Sequence, residues 1–246
     1  MNDLLYFHSS ACIPRQREVQ IYLRVLKNRL TPLFHDINAE IEREADENQR
    51  NYCNKLSSDQ ASTQYYYENI YTDSINYGIT LCEINGYIAL LAIAGLYHLW
   101  ERRVIEFLFK EIGNYWNTQY LQIKTFGDIK HTFLDYGINI EQLNCYKTLN
   151  ELRYVANAVK HGNGHSLDKL KNIDAAILHD NDEYHALHTG KWTISGVDLY
   201  PSQNIIAQYG AAIIYFWDHK QWTQCGDYHV RTREPSQPTS KKYPNR

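Results

Sequence analysis

The chain has 246 residues, a formal net charge of −3 at pH 7 and a sequence pI near 6.4. It is long enough to bury a substantial core, and it carries no global basic field to draw nucleic acid or a membrane surface. Its five cysteines, Cys12, Cys53, Cys82, Cys145 and Cys225, are scattered and include no C-x-x-C pair. That argues against a disulfide framework and a zinc site, and fits free thiols in a reducing cytoplasm.

Met1–Pro14 is short and mixed, with Leu4, Leu5, Tyr6 and Phe7 able to pack as an arm. Met1–Arg17 has neither the basic start nor the apolar core of a secretory leader. Beyond Pro14 a helical pattern runs from about Arg17 to Lys55, with Pro32 expected to break or kink it. Past Ile41 this pattern fades into E-R-E-A-D-E-N-Q-R, a solvated face with little to bury. Ser57–Thr63 reads as a linker. Gln64–Ile112 reads as one very long helix or two in line, with Gly78, Gly86 and Gly95 as weak points that also let another backbone come close. Within it, Gly86–Trp100 is apolar for about fifteen residues and then runs into Glu101, Arg102 and Arg103. A membrane span needs about twenty apolar residues, so a central helix buried on most sides is expected, with no membrane partner.

Asn114–Lys124 is irregular, Phe126–Asp135 forms a short helix, and Tyr136–Asn139 a turn. A further helix is expected from about Ile140 to His161, with Gly162 ending it and Ser166 capping a short helix over Leu167–Lys171. Asn172–Gly190 is rich in Asp and His, and Lys191–Leu199 is the one strand-like stretch. A final helix follows over Ser202–Trp222, with Ser202 as its N-cap, and residues 226–246 form a polar tail expected to be disordered. The fold class expected is mainly α: an up-down bundle of long helices in a single domain over 1–225, with a small β-containing insertion near the C-terminus.

The chemistry concentrates in Asn150–Ser166, N-E-L-R-Y-V-A-N-A-V-K-H-G-N-G-H-S. A helix turns about 100° per residue, which puts Asn157, Lys160 and His161 at roughly +40°, −20° and +80° from Arg153. Leu152, Val155 and Val159 take the opposite side and form the stripe to be buried. An arginine can hold a phosphate and a histidine can move a proton near neutral pH. On one face they could cleave a phosphodiester without metal, while basic residues in a last turn also serve as ordinary capping. A second polar cluster, His98, Glu101, Arg102, Arg103 and Glu106, follows the apolar run and reads first as an ion-paired surface at the helix end. His35–Asp36 lacks the partners of a metal phosphohydrolase, and the loop with His179, His185 and His188 is a solvated one. No P-loop, dinucleotide fingerprint, nucleophile elbow or H-E-x-x-H occurs, so no metal and no cofactor are expected.

L-R-Y-V followed by A-N-A-V-K-H-G resembles the R-N-x-x-x-H region of the HEPN superfamily, over a core of about 65–171. The resemblance implies a cytoplasmic, metal-independent endoribonuclease of a toxin–antitoxin or anti-phage system. Such a protein cuts RNA by 2′-hydroxyl attack, usually as a homodimer. On this implication Arg153 binds the scissile phosphate, His161 is the acid/base, and Asn157 and Lys160 orient and neutralise, with Glu101, Arg102 and Ser166 added at the RNA surface. The pattern departs from the family at one point. Ala156 stands where the motif has arginine, and seven residues separate Arg153 from His161. The alternative is a non-catalytic member that binds RNA or a protein partner.

Overall fold

The computed structural model describes residues 5–34, 36–53, 60–113, 122–162, 164–179, 199–218 and 222, the side chains of 60–67 and 113 excepted. The chain is mainly α-helical, a helical bundle as its periodicity predicts, and no strand occurs among the described residues. Most of the strand-like stretch Lys191–Leu199, the Asp/His loop beyond His179 and the tail from 226 lie outside them.

Helix α1 spans Ser9–Val25. It begins ahead of Pro14, correcting the expectation that Pro14 precedes the first helix. His8 supplies the N-cap, its Nδ1 accepting from the Ser10 N–H at 3.3 Å, and Pro14 sits inside the helix. Cys12 and Val19 are buried, which offsets the cost of the proline. A π-turn over Leu26–Leu30 and a 3-10 turn over Thr31–Phe34 then end the regular helix around Pro32, as expected. Helix α2, Ile37–Cys53, buries no residue fully. It lies along helix α3, Gln60–Gly113, with the Tyr77 hydroxyl donating to Glu40 Oε1 at 2.9 Å.

Helix α3 is continuous through all three of its suspected weak points. What approaches its glycines is not backbone but side chains: Ile41 at Gly78, and the Tyr22 hydroxyl at Gly95. That hydroxyl donates to the Ala92 carbonyl at 2.8 Å. By length and composition α3 passes for a membrane span, yet only 22% of its most apolar window is buried. The expectation of burial on most sides therefore holds only from Leu90 onward. Ile84, Tyr87 and Leu91 are 44%, 45% and 47% exposed.

The second half of α3 forms the spine of the core. Trp100, Val104, Phe107 and Leu108 are buried against helices α4 (Phe126–Asp135), α5 (Tyr146–His161) and α7 (Gln203–Phe216). Helix α4 starts on a full capping box, Thr125 with Asp128. Helix α7 starts on Ser202, whose Oγ accepts from the Ile205 N–H at 3.2 Å, and it stops at Phe216, short of the expected Trp222. Phe7 of the N-terminal arm stacks on Trp222 at 3.8 Å and contacts Phe107, Phe133, Phe216 and Trp217, so the two ends of the described chain close one aromatic core.

Candidate functional site

Helix α5 does what its spacing dictates on one side. Leu149, Leu152, Val155, Ala156, Ala158 and Val159 are buried against α3, α6 (His165–Asn172) and α7. Its start differs from expectation: Ile140–Gln142 is a separate 3-10 turn capped by Asn139, and α5 begins only at Tyr146. Tyr209 of α7 reaches across, its buried hydroxyl donating to Glu151 Oε1 at 2.9 Å.

The opposite side carries Arg153, Asn157, Lys160 and His161, but they do not converge. Arg153 Nε and Nη2 both donate to Asn150 Oδ1, at 3.1 and 3.0 Å. Its guanidinium lies 4.8 Å from the ring centre of Phe126 and 4.4 Å from that of Tyr154. The side chain thus runs back toward the N-terminal end of α5, as long helical side chains do. His161 lies eight residues the other way, about 12 Å along the axis.

Arg153 instead belongs to a seam between α3, α4 and α5. Tyr97, 3% exposed, donates its hydroxyl to Glu101 Oε1 at 2.7 Å, and His98 Nδ1 lies 3.3 Å from Glu101 Oε2. Burial first, then the Glu101 carboxylate, pushes the Tyr97 phenol well above its ordinary range, while the Arg153 charge pulls the other way. Glu101 is thereby committed to two partners on its own helix. Arg102 points elsewhere, exposed and paired with Glu106 at 2.9 Å, so it stands apart from both Arg153 and Glu101.

The far end of α5 makes a different site. Gly162 closes the helix at φ 68°, its N–H bonding to the Ala158 carbonyl at 2.8 Å. Glycine takes that left-handed backbone without strain. Helix α6, His165–Asn172, follows directly, with Gly164 as its N-cap and, among the described residues, no side chain bonding the first amides. This corrects the expected role of Ser166, which is the second residue of α6. With glycine in the capping position the helix starts two residues earlier. Lys160, His161 and His165 are exposed around the junction, and Ser166 is half-buried. Leu167 and Leu170 anchor α6 on α5.

No family model, curated protein or solved structure matches this chain.

Chemically, then, the residues singled out from the sequence separate into two places. Arg153 and Glu101 meet through Tyr97 in a partly buried seam. Lys160, His161 and Ser166 gather at a solvent-facing helix junction with three kinds of donor: an ammonium, imidazoles and uncapped amides. That is the donor set of an anion site. No group of three or more His, Cys, Asp or Glu side chains able to hold a metal occurs among the described residues. His35 lies outside them, and His179 pairs with Asp174 at 2.8 Å on the surface. Sequence reasoning missed Asn150 and Phe126 as the partners of Arg153. Asn150 was legible as an i, i+3 neighbour, whereas Phe126 comes from another helix and left no signal.

Proposed function

We infer that the chain is a HEPN-like helical module that binds RNA through the α5–α6 junction and does not cut it. Lys160, His161, His165 and the first amides of α6 would hold backbone phosphates, with Ser166 and Asn157 at the margin. One observation carries the reading: Ala156, where the family motif has its arginine, is 1% exposed in the packed face of α5. The nearest substitute, Arg153, is bonded back to Asn150, away from His161. Among the described residues, the junction therefore has no guanidinium beside its imidazole. In a toxin–antitoxin or anti-phage setting such a module would sense RNA or hold a partner.

Fluorescence anisotropy with a single-stranded RNA, run alongside a cleavage assay in excess chelator, tests this. Saturable binding with intact RNA is expected. Lys160→Ala should weaken binding several-fold at low salt and make the salt dependence shallower by about 0.7–0.9 in the log–log slope. RNA left unbound at low salt would refute the reading.

The nuclease reading retains one supporting observation. The imidazole of His161 is exposed and, among the described residues, has no hydrogen-bond partner, so a second copy of the chain could bring an arginine to it. Cleavage in chelator that is lost in His161→Ala, with the fold intact, would decide for that homodimeric enzyme.

A further inference from the structure

A second basic feature lies on α1 and α3 and includes no residue of α5 or α6. A cleft of about 500 Å³ is lined by Pro14, Arg15, Arg17, Glu18, Ile21 and Arg103. Glu18 and Glu106 are the carboxylates that act on Arg15, and both are bonded to other arginines, while Glu111 and Asp218 act on the neighbouring Cys12. Glu18 accepts from Arg103 Nε at 2.7 Å and from Nη2 at 2.5 Å. Glu106 accepts from Arg103 Nη1 at 2.5 Å and from Arg102 Nε at 2.9 Å. Arg15 and Arg17 have no ion pair among the described residues. Among the described residues, neither of these two guanidinium groups has a carboxylate bonded to it.

Arg15 is the unusual member. Its guanidinium lies 5.0 Å from the Trp217 ring centre and 5.6 Å from that of Phe107, and Nη1 donates to the Ala11 carbonyl at 2.5 Å. Its Nε–H is buried without any partner. Burial pulls the Arg15 pKa below its usual value, and the neighbouring Cys12, pushed up to about 11 by burial, stays a neutral thiol that offers no counter-charge. A cation fixed on two aromatic rings at the edge of a cleft, with no carboxylate bonded to it among the described residues, can take an anion from that cleft.

We propose that this cleft binds a small organic phosphate monoester, about the size of a nucleoside monophosphate. The phosphate would sit between Arg15 and Arg17, with Arg103 held behind it by Glu18 and Glu106. A phosphate monoester brings a charge near −2 at neutral pH, which matches the two unpaired guanidinium groups. The carbon skeleton would lie over Pro14 and Ile21, and Ile21 is 42% exposed there. The volume is within the range of sites for small ligands.

Titration calorimetry of the full chain with adenosine monophosphate, adenosine and inorganic phosphate tests it. Saturable binding of adenosine monophosphate is expected, at least ten-fold tighter than adenosine and competed by inorganic phosphate. Arg17 is exposed and makes no contact the fold needs, so Arg17→Glu should fold normally and weaken the nucleotide at least ten-fold. RNA binding by that variant should not change, which separates this site from the α5–α6 junction. Absence of saturable binding, equal affinity for adenosine, or an unaltered Arg17→Glu variant would each overturn the proposal.

Discussion

The guanidinium of Arg153 is gripped by the side-chain oxygen Oδ1 of Asn150 on one side and by the rings of Phe126 and Tyr154 on the others. Such a residue contributes to stability before it contributes to ligand binding. Arg153→Ala is expected to destabilise the protein by about 1–2 kcal/mol through lost stacking and hydrogen bonds, while RNA affinity changes by less than two-fold. Urea unfolding and anisotropy on the same variant read both effects. Placing an arginine where the HEPN motif has one, by Ala156→Arg, should fail. It forces a charge and a long side chain into a face that is 1% exposed, costing at least about 3 kcal/mol. A well-folded Ala156→Arg protein that cleaves RNA would show that this face tolerates what its packing forbids. The polar and apolar sides of α5 were legible because a 3.6-residue period fixes them. The direction of Arg153 was not, since it depends on a phenylalanine from α4 that no local pattern announces.

At the level of elements, the capping devices were the easiest to read. Ser202 was visible as a cap because it stands directly before an apolar run, and its hydroxyl does accept the Ile205 N–H. Ser166 misled for the same reason: it precedes Leu167, but glycines allowed the chain to turn and start α6 earlier. The Thr125–Asp128 box carries a pH signature. The backbone N–H of Lys124 first, then the Thr125 side chain and N–H, hold the Asp128 carboxyl below its usual range. A pKa lower in the folded state means the stabilisation is present above the unfolded value, about 3.9, and is lost as pH falls through the folded one. Urea midpoints should therefore drop from pH 5 toward pH 2, and Asp128→Asn should flatten that slope. An identical slope in the variant would assign the acid loss to other carboxylates, such as Glu106, which its arginine neighbours also hold low.

Across the whole molecule, burial is unevenly spread. Helix α2 has no fully buried residue, and of α3 ahead of Gly86 only Ile70, Ser74 and Gly78 are buried among the described side chains. From Leu90 onward the same helix supplies the centre of the core. Hydrogen exchange should divide α3 accordingly, with amides ahead of Gly86 and those of α2 exchanging orders of magnitude faster than those around Trp100–Leu108. Uniform protection along α3 would contradict this division. The sequence foretold one very long helix, or two in line, over Gln64–Ile112, and a helical pattern fading past Ile41, where charges replace apolar residues. It did not foretell which stretch of α3 stays open, since that depends on where α2, α5 and α7 lie in space.

An unbroken α3 also sets a length scale. Tyr71 and Trp100 are separated by 29 residues on one rod, about 44 Å at 1.5 Å per residue, with no hinge between them. Whatever grips the exposed Tyr71 would be held at a near-constant span from the aromatic core, and the chain would act there as a spacer whose reach is written in its count of helical turns.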